Sequence, residues 1–310
     1  MEKSGIGRTR NIVIIAIAII CVVAAVGAGM LISKLADNEK ITFVDDYDRT
    51  IVLEGLPSRI VSIAPTPTEI LFAVGAGDLV VGVDDFSNYP AETANLPKVG
   101  NYELNIEAIV GLYPDLVVSS DLVPTAQLEA IENRDIPYMV LATRTMEDVF
   151  KDILLVGNIT GHLIDAEVLV ASLSARVDAV TNLTLAEDVV KPTVYFEYYP
   201  LWTYGPGSFG HDLIELAGGI NIAETSGSEY VQLNDEFVIA TNPEIIIYTY
   251  GVMASTTEDD IISRPAWDGI TAVEEDRVFA IDDDLTSRYG PRVVDGLEQL
   301  AAILHPELFE

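Results

Sequence analysis

Cysteine occurs once in 310 residues, at Cys21, and histidine three times, at His162, His211 and His305. A single cysteine excludes a disulfide framework and a cysteine-built metal centre. The histidines are scattered, and no two share the helical spacing of a zinc site, so surface or capping roles account for them. Cations are scarce as well: 17 Lys and Arg stand against 49 Asp and Glu, a net charge of −32. Such a surface repels nucleic acid and anionic lipid, which rules out both as partners. A dense acidic coat does serve solubility in a salty medium. No phosphate-binding glycine loop precedes a helix, and no nucleophile-elbow serine is present. Acid pairs occur throughout so acidic a chain and give no specific glycosidase signature. Asp282-Asp283-Asp284 lacks the spacing of a calcium loop and reads as a solvated turn. These absences leave no residue set for catalysis, no cofactor and no metal site, so the chain reads as a protein that is not an enzyme.

What is present begins with one long apolar run. Ile12 to Ile32 is apolar or glycine throughout, about 32 Å as a helix, which matches a bilayer core. Lys3, Arg8 and Arg10 precede it and keep residues 1–10 in the cytoplasm. The expectation is a single-pass anchor at 11–33 (or an uncleaved signal), a spacer at 34–40, and everything beyond outside the cell membrane. The rival is a signal peptide cleaved among Ala24 to Gly29; the length of the run favours the anchor. Ile20 before Cys21 is not the small residue a lipoprotein cleavage site needs. Sequons at Asn158 and Asn182 suit an external domain.

The folded part is organised around a stretch written twice, at an offset of 129 residues. Asn105, Glu107 and Pro114-Asp115 lead into Leu116-Val117-Val118; Asn234, Glu236 and Pro243-Glu244 lead into Ile245-Ile246-Ile247. In each copy Asn caps a short helix, an acid sits in its first turn, Pro stops it and a β-branched strand follows. Upstream of each copy lies a helix closed by glycine, at Gly75 and at Gly218-Gly219. The repeat predicts two lobes of similar build.

In chain order, Ile41–Val44 and Thr50–Leu53 form a hairpin, and alternating strand and helix signals follow to Leu141. Thr66-Pro67-Thr68-Glu69 reads as a capping box. A helical pattern from about Leu163 to Glu187, roughly 37 Å, is longer than a crossover within one sheet needs. The expected fold is therefore α/β, in two lobes, each a mostly parallel sheet flanked by helices. One long rigid helix at 161–190 joins a lobe at 41–160 to a lobe at 191–310.

Ligands of open α/β sheets bind beyond the carboxyl ends of the strands. Phe86, Tyr89 and Tyr102 occupy such loops in the first lobe; Tyr198, Trp202, Tyr204, Tyr230 and Tyr250 do so in the second. Arg144, Arg288 and Arg292 are among the few cations so placed. Together these aromatics and arginines are the candidate ligand cleft.

The motif order resembles the periplasmic-binding proteins for vitamin B12, ferric siderophores and haem. The resemblance rests on Arg59 to Pro65 with Thr68 to Leu71, Tyr89-Pro90, Val99-Gly100, Arg264 to Trp267 and Gly290-Pro291-Arg292, beside the two repeat copies. It implies the substrate-binding component of an ABC importer, monomeric, working with a permease dimer and its ATPase subunits. It further implies that Glu107 and Glu236 dock onto permease arginines, one carboxylate per lobe against a two-fold partner. Among the ligands of such proteins, a largely uncharged corrinoid suits an aromatic, cation-poor cleft better than an anionic ferric siderophore or haem. A cell-surface structural protein is the alternative of another class; it accounts for acidity, anchor and sequons but not for the paired glutamates.

Overall fold

The computed structural model describes residues 40–251 and 256–309. The expected membrane-spanning segment at 11–33 lies outside them. Among the described residues no helix is long and apolar enough to cross a membrane.

Strands β1 (Ile41–Val44) and β2 (Thr50–Leu53) pair antiparallel, Ile41 opposite Leu53. Two four-stranded sheets follow, and both are parallel throughout. The first holds β3 (Ile60–Ile63), β4 (Val80–Val83), β5 (Leu116–Ser120) and β6 (Tyr138–Leu141) in the order β4-β3-β5-β6. The second holds β7 (Thr193–Glu197), β9 (Ile220–Asn221), β11 (Ile245–Tyr250) and β12 (Val278–Asp282) in the order β9-β7-β11-β12. Counted within each lobe, both orders are 2-1-3-4, so the sequence repeat is a repeat of topology. Ile60, Val61 and Ile63 in β3 and Ile245 to Ile247 in β11 are all buried. Parallel strands covered on both faces need such continuous apolar runs rather than alternation. A short antiparallel pair, β8 (Trp202–Tyr204) with β10 (Tyr230–Gln232), is inserted in the second lobe.

The helices are α1 (Pro65–Ala73), α2 (Ile106–Gly111), α3 (Thr125–Glu132), α4 (Met146–Thr160) and α5 (Leu163–Thr184) up to the start of the second sheet. Beyond it come α6 (Phe209–Leu216), α7 (Asp235–Thr241), α8 (Glu258–Ile262), α9 (Thr271–Glu274), α10 (Asp283–Thr286) and α11 (Val293–Leu304). Helix α5, 22 residues long, packs against α4, α6 and α11.

The repeat also explains the strand starts. The Asp115 carboxylate accepts from Ser58 N (2.8 Å), Ser58 Oγ (2.9 Å) and Arg59 N (3.0 Å) just before β3. Glu244 does the same at β7, accepting from Thr193 N (2.8 Å) and Thr193 Oγ1 (3.1 Å). In each lobe the acid after the helix-stopping proline therefore ties the third strand to the first.

One buried apolar cluster runs from Leu116 and Val118 of the first sheet through Ile153, Leu173 and Leu297 to Phe196 and Ile247 of the second. Each sheet has a separate cluster on its other face, around Val117 and Ile131 in one lobe and Ile246 and Trp267 in the other. The core that the lobes share is thus as continuous as the core within either.

The expected capping box at Thr66 to Glu69 does not form. Helix α1 starts at Pro65, its N-cap is Ala64, and no side chain caps it. Glu69 is 2 % exposed and turned to the other lobe.

Candidate ligand cleft

A cavity of about 430 Å³ opens beyond the carboxyl ends of β3, β4, β5 and β12. That lies within the range of small-molecule sites, and strand ends are where parallel sheets place them. The first lobe lines it with Ala64 to Thr66, Asp84 to Phe86 and Ser120 to Pro124, among others; the second supplies Asp283, Asp284, Ser287 and Arg288.

Tyr102 packs on Phe86 with ring centroids 4.9 Å apart, and both line the cavity. Helix α3 holds that wall: Gln127 Nε2 donates to the Tyr102 carbonyl (2.7 Å), and Gln127 Oε1 accepts from Leu104 N (2.6 Å). The loop behind it turns at Gly100, φ 108°. A Cβ there would lie 2.5 Å from the Glu103 carbonyl oxygen, so only glycine fits the tight turn.

Arg288 lines the cavity but is not a free cation. It pairs with Asp284 (2.7 Å), donates to Asn88 Oδ1 (2.6 Å) and stands 3.6 Å from Glu69. Arg292 donates to both carboxylate oxygens of Glu69 (2.9 and 2.6 Å) and lies 4.0 Å over the Tyr89 ring. Tyr289 N donates to Thr66 Oγ1 (3.1 Å) beside them. Glu69, Thr66 and Asn88 belong to the first lobe and Arg288, Tyr289 and Arg292 to the second, so this network bridges the lobes at the floor of the cleft. Burial pushes the Glu69 carboxyl above its usual range, with Arg292 opposing. Asp84 moves up for the same reason, with the Ser87 hydroxyl opposing.

Of the residues expected to form one cleft, the structure brings Phe86, Tyr102 and Arg288 together. Tyr89 sits beside them on Arg292, outside the cavity wall. Tyr198, Tyr204 and Tyr230 form their own cluster, with centroids 4.7 Å apart for Tyr198–Tyr204 and 6.1 Å for Tyr198–Tyr230. Tyr204 is 3 % exposed and packs on Phe196, so it is a core residue rather than a cleft wall. Trp202 is half-buried opposite Gln232 in the β8–β10 pair, and Tyr250 is exposed at the end of β11. Arg144 pairs with Asp121 of its own lobe and stands 3.6 Å from Glu229 of the other. The aspartate triplet is not a solvated turn: Asp282 caps α10, Asp283 is buried and Asp284 holds Arg288.

Sequence reasoning missed Asp84, Asp85, Asp283 and Asp284 as cavity residues. The available signal was position, since they directly follow β4 and β12. It also missed the Glu69–Arg292 bridge, whose partners lie 223 residues apart.

Asn105 and Asn234 do cap the repeat helices, accepting from Ala108 N (3.0 Å) and Phe237 N (2.8 Å). Glu107 and Glu236 are both exposed on the first turns they open. Glu107 lies 3.2 Å from Arg134. Trp267 Nε1 donates to Asp235 Oδ1 (2.8 Å), which fixes the helix carrying Glu236.

The family profile described as "Periplasmic binding protein" matches residues 60–285. The chain belongs to this periplasmic binding protein family. An uncharacterized ABC transporter substrate-binding lipoprotein of Bacillus subtilis (strain 168) is 32 % identical over 279 residues, covering 87 % of both chains. A cobalamin-binding protein of Halobacterium salinarum is 27 % identical, over 96 % of this chain and 85 % of that one. Among solved structures, the apo periplasmic heme-binding protein of Roseiflexus sp. RS-1 superposes with a TM-score of 0.72 at 29 % identity, covering 80 % of this chain and 98 % of that one. Like other members of this family, the periplasmic binding protein described here is a transport component and not an enzyme.

Proposed function

We propose that this periplasmic binding protein is the extracytoplasmic substrate-binding component of an ABC importer, and that its cleft captures a corrinoid. The observation that carries the ligand is the pairing of the cations in and around the cleft, of which Arg288 alone lines the cavity. Arg144, Arg288 and Arg292 each already face a carboxylate, while Phe86 and Tyr102 offer aromatic surface. A haem or ferric siderophore with negative charge needs clustered free cations, whereas the broad face of a corrinoid needs apolar contact. The cobalamin-binding relative in Halobacterium salinarum supports the same choice. The second reading is a haem or ferric chelate, favoured by the place of Arg288 in the cavity wall and by the heme-binding Roseiflexus protein.

In this reading Glu107 and Glu236 dock the two lobes onto a permease dimer driven by its ATPase subunits. Helix α5 acts as the strut that keeps them at a fixed separation, and residues 11–33 tether the protein to the membrane. Calorimetry with cyanocobalamin, haem and a ferric hydroxamate tests the ligand. Binding of cyanocobalamin that weakens at least tenfold in Tyr102→Ala is expected. Binding of the iron ligands alone would replace the corrinoid and leave the importer role standing.

A further inference from the structure

The cavity wall carries four carboxyl side chains, Asp84, Asp85, Asp283 and Asp284, against one guanidinium, Arg288. Two of these acids have partners inside the protein, and a third is buried. The Asp84 carboxylate accepts from the Ser87 hydroxyl and from Phe86 N (3.3 Å). Asp284 holds Arg288 at 2.7 Å, and Asp283 is buried. Asp85 differs. It is exposed, and among the described residues its carboxylate meets no donor and no cation; only its backbone N–H is engaged, to the Gly100 carbonyl (2.7 Å).

Water solvates that carboxylate while the cavity is open. A bulky ligand seated there removes the water, and an ionised carboxylate stripped of water without a partner is costly. A ligand bearing positive charge replaces what the water supplied, a neutral one does not, and an anionic one adds repulsion. We infer that the cavity selects its ligand by charge, taking a cationic chelate over a neutral one of the same shape, with Asp85 as the discriminating group. This rests on the reading of the cavity as the ligand site, and it is independent of which chelate is carried.

Two matched pairs test it. Aquacobalamin carries one more positive charge than cyanocobalamin on the same ring system. A linear ferric trihydroxamate with a free amine carries one more than its N-acetylated form. Affinities are measured by calorimetry on the wild-type protein, Asp85→Asn and Asp85→Glu at ionic strength near 0.1 M. The cationic member of whichever pair binds should be about tenfold tighter, about 1.4 kcal/mol. Asp85→Asn should bring the ratio to within twofold, and Asp85→Glu should restore it. A purely structural role for Asp85 would weaken both members alike and leave the ratio unchanged. Equal affinities within the binding pair, or a ratio unmoved by Asp85→Asn, would overturn charge selection. Binding of the hydroxamate pair alone, with the amine form tighter, would support it while removing the corrinoid. Binding of neither pair, or of anionic haem alone, overturns charge selection; only the absence of binding by haem as well overturns the cavity reading.

Discussion

Glu69 and Arg292 show how little room a buried charge has. Glu69 is 2 % exposed and its partner comes from the other lobe, so each residue's position depends on the other. Removing one member of such a pair costs more than the pair is worth, because the remaining charge stays buried. Arg292→Met should therefore destabilise the protein by about 3 kcal/mol in urea unfolding, with Arg288, 3.6 Å from Glu69, limiting the loss. Asp152 supplies a second prediction. It is fully buried on α4, with Thr143 Oγ1 donating to it (2.7 Å), and burial followed by the Asp46 charge pushes its carboxyl up to about 8. The folded protein thus keeps a proton that the unfolded chain releases near pH 4. Between those values the native state binds more protons, so stability falls as pH rises through about 8. Asp152→Asn mimics the protonated acid and should flatten that fall. Unfolding in urea at pH 5 and pH 8 should show the wild type losing about 2–4 kcal/mol more than the variant; parallel profiles would contradict the assignment.

The elements were largely legible in the sequence, for reasons specific to each. Runs such as Ile245–Ile247 announce strands covered on both faces, and the Asn-to-Pro spacing announces α2 and α7 with their caps. The β8–β10 pair and the two-residue β9 were not legible, because strands that short carry no periodicity. The cleft was legible only by half. Strand-end aromatics mark loops that line the cavity, but nothing local tells Phe86, which lines it, from Tyr204, which fills the core. Glu69 was misread because a helix-start pattern fits its neighbours, and its real partner lies far off in sequence. The repeat makes its own prediction at this scale. Asn105→Ala should cost about 1 kcal/mol as a lost helix cap. Asp115→Ala should cost about 2 kcal/mol, since it frees three donors at the start of β3. Thermal unfolding of both variants checks the order; an Asp115→Ala loss smaller than the cap's would show that the strand tie is unimportant.

At the scale of the whole molecule, the shared core decides how the lobes behave toward a partner. A cluster continuous from Val118 through Leu173 to Phe196, reinforced by the Glu69–Arg292 bridge, resists hinge opening. The two docking points proposed above, Glu107 and Glu236, would keep a fixed separation on such a body, so a two-fold partner could read both at once. The points are unequal. Glu107 carries Arg134 as a neighbour, whereas Glu236 has no ion pair among the described residues. The Glu107–Arg134 pair is exposed, and such pairs contribute at most about 1 kcal/mol, so in the proposed docking a permease arginine would displace Arg134 at little cost. Glu107→Arg and Glu236→Arg should each lower uptake, Glu236→Arg at least as strongly, and the double variant should abolish it through like-charge repulsion. Ligand affinity should stay unchanged, since neither residue lines the cavity. Uptake by vesicles holding the permease and its ATPase subunits, with calorimetry on the same variants, separates the possibilities. Normal uptake by the double variant would remove both glutamates from the docking surface; lost ligand affinity with docking retained would place them in the cleft instead.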